Sequence, residues 1–248
     1  MVLSFGARVA AASRLEVGAV VALSTATEPE LGGARMAYAT LGGLMVYVPY
    51  FLIVNPSLPV KSVKDLIDLA KAQPGRINFA SPGIGTPNHL GVEMFNMMAG
   101  VKFVHVPYKG GAPAFTDVIS GQLPLMFPTI VMSNYHIKSG RLTPLGISST
   151  KRSSVMPNIP TVAESGLPGF DVNEWQLLAV PARTPTPIIE RLRAELVKAQ
   201  QHPEAKERIL ALGAESVGSA PAEAAAFLKN EVARWAKVAK EAKIPLVD

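Results

Sequence analysis

The amino-acid sequence predicts an α/β protein whose parallel-rich sheets are flanked by helices, and three observations predict it. From residue 46 onward, short apolar runs alternate with amphipathic stretches, the pattern of successive strand–helix units. The 21 prolines and 20 glycines fall mostly at the junctions between those units and build no low-complexity tract. Hydrophobic residues form 48% of the chain and charged residues 17%, ample for a core and unlike the composition of a disordered chain. A length of 248 residues accommodates one large domain or two lobes.

Each element has its own signal. Residues Val17–Leu23 read as a buried strand followed by a Ser24–Thr27 loop, and Val46–Val54 as one or two strands joined at Pro49. Asn55–Pro59 is a turn; Ser62 then caps a helix over Val63–Ala72, which Pro74-Gly75 stops. Strand and helix next alternate: strand Ile77–Ala80, helix 87–99, strand Phe103–Val106, helix 112–120 with Gly121 as its C-cap, strand Leu123–Phe127, short helix Ser133–Lys138, strand Leu142–Ser148. Strand Glu174–Val180 precedes helices Pro187–Gln200 and Pro203–Leu212. In a last helix, about Ala220–Lys243, the stripe Leu228, Val232, Trp235 and Ala239 faces the core, with Trp235 a packing residue.

Two of the strand–helix junctions carry the candidate site. The first runs Ser81-Pro82-Gly83-Ile84-Gly85-Thr86-Pro87-Asn88-His89, the second Tyr108-Lys109-Gly110-Gly111-Ala112. Glycines allow tight turns and close backbone approach. A hydroxyl N-cap with proline at the first helical position, as in Thr86-Pro87, marks a helix start whose N–H groups and dipole attract carboxylate or phosphate. Loops at the carboxyl ends of parallel strands are where open α/β sheets bind ligands. The pair predicts a pocket for a small organic anion, with Ser81, Thr86 and Lys109 as side-chain contacts. His89, in the first turn of its helix, either touches the anion or is satisfied by a nearby carbonyl, and Tyr108 either offers its hydroxyl or packs.

Other chemistries lack their residues. Gly83-Ile84-Gly85 begins like a dinucleotide fingerprint, but Asn88 stands where the third glycine belongs and no acid follows at the required distance, so no cofactor is expected. His89, His105, His136 and His202 have no i, i+4 spacing for zinc, and with no cysteine there are no disulfides or thiolate ligands. His105 reads as structural. The loops contain no nucleophile–base pair and no paired carboxylates, which disfavours an enzyme. A net charge of +5 without a basic–aromatic patch argues against nucleic acid. No uninterrupted run approaches the length of a bilayer span: Gly42, Gly43 and Pro49 break the most apolar stretch, Leu41–Val54. Arg8 and Arg14 precede a short apolar run edged by Glu16, a poor match to an export signal.

The sequence resembles a known family. Val54-Asn55-Pro56-Ser57-Leu58-Pro59, Ile77–Thr86 with His89-Leu90, His105–Gly110, Ile159-Pro160-Thr161-Val162-Ala163-Glu164-Ser165-Gly166, Trp175, Pro181–Pro185 and Leu212–Glu215 occur in order. This set is similar to the Bug family, substrate-binding proteins of tripartite tricarboxylate transporters, over about residues 45–244. The resemblance implies a two-lobed type II periplasmic-binding-protein fold: a continuous ligand-binding lobe at 62–147 and a discontinuous one from 1–61 and 148–248. It implies hinge closure on a di- or tricarboxylate, acidic amino acid or aromatic acid, with delivery to membrane permease subunits by a periplasmic, monomeric protein. By position it adds Thr129 to the ligand residues.

Three departures stand against the family pattern. No strand–Pro-Gly-Gly–helix opening is found, so the first lobe is expected to be incomplete and the chain N-terminally truncated. Without an export signal, a product that stays in the cytoplasm is the alternative location. Pro124 replaces an aspartate usual in the strand after Gly121-Gln122, and Pro128 replaces a polar residue after Phe127. Competing readings are a metabolite-sensing effector domain, which would need a helix-turn-helix not evident in residues 1–35, and a carboxylate-acting enzyme.

Overall fold

The structure is a computed structural model that describes residues 2–4, 40–180 and 184–244. The strand expected at Val17–Leu23, its following loop and the motif residues Pro181–Arg183 lie outside the described residues. The chain forms two compact units, one of residues 48–173 with 211–213, the other from 1–47, 174–210 and 214–248.

The 48–173 unit is organised by a five-stranded sheet. Its strands are β3 (Phe51–Val54), β4 (Asn78–Ser81), β5 (Val104–Pro107), β6 (Leu125–Met126) and β7 (Thr143–Ile147), in the order β5-β4-β6-β3-β7. Pairing is parallel between β4 and both β5 and β6, but β3 runs antiparallel to β6 and β7. The expected parallel sheet is therefore mixed. All four residues of β3 are wholly buried, and an uninterrupted apolar run reads the same in either direction.

Both faces of this sheet are covered. Phe51, Ile53, Ala80 and Met126 pack with Ala114, Phe115 and Val118 of helix α3 (Gly111–Ile119). Helices α1 (Val63–Ala72) and α2 (Pro87–Ala99) bury Val63, Leu66 and Ala70, and Leu90, Val92 and Phe95. Burial of each valine, leucine, isoleucine, methionine or phenylalanine among them contributes about 1.5–3 kcal/mol. Ser62 caps α1 by accepting from Asp65 N, as its sequence predicts.

Both unusual prolines sit where a missing N–H is harmless. Pro124 lies just before β6, a strand of only two residues, and its carbonyl accepts from Asn55 N at 2.9 Å. Pro128 lies just after it and accepts from Phe51 N at 2.9 Å. The Ile159–Gly166 motif is a reciprocal turn: Thr161 N donates to Glu164 Oε2 and Glu164 N to Thr161 Oγ1, both at 2.9 Å.

In the other unit, β1 (Val2–Ser4), β8 (Asn173–Val180), β2 (Thr40–Pro49) and β9 (Glu215–Ser216) form a sheet in the order β1-β8-β2-β9, accompanied by α5 (Thr186–Gln201), α6 (Pro203–Ala211) and α7 (Pro221–Glu241). Leu228 and Trp235 of the expected α7 stripe are buried. The same face also buries an acid: Glu231 accepts from the indole N–H of Trp175 at 3.2 Å and of Trp235 at 3.0 Å, and pairs with Arg234 at 2.7 Å.

Candidate functional site

Three helix starts share one edge of the five-stranded sheet. Strands β5, β4 and β6 are neighbours and parallel, so their carboxyl ends lie together. Each feeds a helix: β4 into α2, β5 into α3, and β6 into α4 (Ile130–Lys138). Helix α4 begins a turn earlier than its sequence suggests. Thr129, extended at φ −69° and ψ 161°, is its N-cap, and Ser133 lies inside the helix with its hydroxyl on Thr129 O at 2.9 Å.

The loops are tied to one another through backbone. Tyr108 N donates to Ser81 O at 3.0 Å and Gly110 N to Pro82 O at 2.9 Å. A Cβ on Gly83 would lie 3.5 Å from Tyr108 O, and one on Gly111 would lie 3.4 Å from Met132 Cε of α4. Asn88 spans to the third loop, its amide donating to Phe127 O. The structure thus gathers Ser81, Gly83, Gly85, Thr86, Asn88, His89, Tyr108, Lys109, Gly110, Gly111, Ala112 and Thr129 along a single edge.

Their availability differs. The α2 start is largely satisfied from within: Thr86 Oγ1 accepts from His89 N at 3.4 Å and donates to Gly83 O at 2.8 Å, and Gly85 N donates to His89 Nδ1 at 3.0 Å. Gly85 needs its left-handed φ of 75° to make that turn. Starts α3 and α4 are different, because Gly110 and Thr129 make no side-chain capping bond. The first amides of a helix have no intrahelical partner, so Gly111 and Ala112 of α3 and Val131 of α4 present the donors of this edge, whereas Ile130 is buried and its amide is turned into the Tyr50–Thr129 bridge. Lys109 is exposed beside them and has no salt-bridge partner among the described residues.

Ser81 and His89 lie beneath the loop, 0% and 4% exposed. The Ser81 hydroxyl receives Gly83 N at 3.1 Å and stands 3.0 Å from Gly83 O and 2.6 Å from His105 Nε2. A serine–histidine contact therefore exists where the loop sequences show no nucleophile–base pair. The serine is fully enclosed and its oxygen is already shared, so the contact is built as a brace. His105 stacks on His89 at 3.7 Å between centroids and 12° between planes, and on Phe79 at 4.8 Å. Burial, with the neighbouring His105 adding to it, pushes His89 down to about 3; burial pushes His105 down to about 4. Both rings are neutral at pH 7.

Tyr108 offers no free hydroxyl proton, since it donates to Asp117 Oδ2 of α3. That bond, ahead of burial, raises the phenol to about 12. Asp117 was not legible as a site residue; its only signal is that it is the one acid in α3. Among the described residues, no group of three or more His, Asp or Glu side chains is placed to hold a metal ion. No helix among them is long and apolar enough to cross a membrane.

Comparison with known proteins places this geometry in a family. The model for the tripartite tricarboxylate transporter family receptor, TctC, matches residues 17–244, reaching nearer the N-terminus than the ordered motifs do. Protein BugT of Bordetella pertussis is 35% identical over 194 residues, covering 78% of this chain and 60% of BugT. The solved structure of Rpa4515 from R. palustris with adipate superposes with a TM-score of 0.72 at 34% identity, covering 83% of this chain and 69% of that one. MatC from Rhodopseudomonas palustris with bound malate gives a TM-score of 0.70 at 26% identity, covering 96% and 77%. The chain spans about 60% of the length of the first curated relatives it matches. With the family match extending over residues 17–244 and solved relatives sharing its fold, the chain belongs to the TctC family of tripartite tricarboxylate transporter receptors, which includes the Bug proteins.

Proposed function

We propose that this protein is an extracytoplasmic solute-binding protein that captures a small organic carboxylate for a tripartite tricarboxylate-type transporter. The observation that carries the reading is the shared sheet edge, where α3 and α4 begin side by side without side-chain caps and Lys109 stands next to them. Helix N-termini attract anions through free N–H groups and the dipole, and two starts suit two carboxylate oxygens, or the two ends of a short diacid. In this reading the amides of Gly111, Ala112 and Val131 hold the acid, with Lys109 and the Thr129 hydroxyl beside them. The α2 loop, with Ser81, Gly83, Gly85, Thr86, Asn88 and His89, shapes the edge and supports it.

Two relatives support the ligand class, one solved with adipate and one with malate. Binding without turnover is supported by the enclosed Ser81, whose oxygen is already shared with Gly83, and by its histidine, which is held against Phe79 and His89. The permease subunits of the transporter are the partner implied by the family, and the periplasm is the compartment in which such a receptor works. The lobe assignment, with 62–147 as the ligand-binding part, remains part of this proposal.

A panel of dicarboxylates, tricarboxylates, acidic amino acids and aromatic acids tests the function by thermal shift and calorimetry. Adipate, malate or a close analogue should raise the melting temperature and bind at one site, with the acid recovered unchanged. A flat panel on folded protein contradicts the reading, and conversion of any acid to product replaces it with an enzyme.

A further inference from the structure

The most unusual side-chain cluster outside the donor edge is the ring stack directly beneath it. Phe79 and Ser81 project from the same face of β4, and the register pairs them with His105 and Pro107 of β5. His105 is thus the diagonal neighbour of Ser81 on that face. His89, reaching back from α2, covers the stack. Two imidazoles stack nearly parallel at 3.7 Å, and each grips a different point of one loop. His89 Nδ1 accepts the Gly85 amide at 3.0 Å. His105 Nε2 meets the Ser81 hydroxyl at 2.6 Å, and that hydroxyl holds Gly83.

This arrangement asks more of the residues than packing does. Nδ1 of His89 can accept an N–H only when it is unprotonated, so the ring must be neutral with its proton on Nε2. Nε2 lies 3.7 Å from Glu93 Oε1, near the only carboxylate of α2. Burial keeps both rings neutral at pH 7.

We propose that His89 and His105 are positioning residues for the acid-binding edge: stacked and neutral, they lock the glycine loop through Gly85 and Ser81. The loop carries Pro82, whose carbonyl receives Gly110 N, so fixing it also fixes the turn that opens α3. The inference rests on the acid-binding reading only for its consequence on affinity; the lock itself is a property of the free protein.

Asparagine and glutamine variants separate a hydrogen-bond lock from simple filling of space. Asn places an acceptor near Nδ1; Gln fills more of the ring's volume but carries its acceptor one methylene further, near Nε2. His89→Asn should keep the Gly85 amide slow to exchange, whereas His89→Gln should speed it at least tenfold while amides in the middle of α2 stay protected. Affinity for adipate or malate should follow the same order, with a loss of about tenfold for His89→Gln and little for His89→Asn. The reverse order, or equal Gly85 exchange in all three proteins, overturns the proposal. If the wild type binds neither acid, the functional reading fails while the exchange series still decides the lock. In the wild type, nitrogen NMR of His89 should show the proton on Nε2; a proton on Nδ1 overturns the proposal without any variant.

Discussion

Acidification from pH 7.5 to 5.5 should destabilise the 48–173 unit by about 2–3 kcal/mol, mainly through His89 and His105. Their folded pKa values, about 3 and about 4, lie below the ordinary imidazole value of 6.5. Between pH 6.5 and those values the unfolded chain binds protons that the folded protein refuses, so stability is full above pH 6.5 and falls as the pH drops. At pH 5.5 each histidine is one unit below its unfolded value, a cost of about 1.4 kcal/mol apiece. Glu93 acts in the opposite sense: burial raises its carboxyl, so the folded state takes up that proton before the unfolded chain does. Comparing the wild type with Glu93→Gln isolates the histidine contribution. Urea melts followed by circular dichroism, with hydrogen exchange at β4 and α2, provide the assay. Both tryptophans, Trp175 and Trp235, belong to the other unit, so their fluorescence does not report on β4 and α2 directly. Equal stability of β4 and α2 at the two pH values, in both proteins, would refute the reasoning.

Three substitutions probe other parts of the account. Glu231→Ala leaves two buried indole N–H groups and Arg234 without their shared acceptor, and should cost about 3–5 kcal/mol, seen as a lower tryptophan-fluorescence midpoint. Gly213→Ala should cost about 2–4 kcal/mol by thermal melting, because its Cβ would lie 2.0 Å from Ile130 Cγ2 at a φ of 64°. Lys109→Gln should weaken adipate or malate binding roughly two- to fivefold at low ionic strength, an effect that shrinks with added salt and is read by calorimetry.

Local chemistry made much of the fold legible. The Ser62 cap, the Pro74-Gly75 stop and the Thr86-Pro87 start predict α1 and the beginning of α2 where they stand, since caps act within a few residues. Strand direction was not legible, because the wholly buried β3 carries no alternation to betray its neighbours. The early start of α4 was hidden by Ser133, a hydroxyl that looks like a cap but bonds back to Thr129 O inside the helix. At the site, the glycine loops announced themselves, whereas the stack under them could not: Ser81 and His105 meet only through the β4–β5 register, and His89 joins them only by the packing of α2. Glu231 escaped notice for a related reason, since an apolar stripe says nothing of an acid buried within it.

The donor edge itself is tested most directly by titrating isotope-labelled protein with adipate and with malate while following every backbone amide. The account predicts that the largest shifts fall on Gly111, Ala112 and Val131, with smaller ones at Gly83 and Gly85. Saturable binding that leaves those three amides unmoved would contradict it.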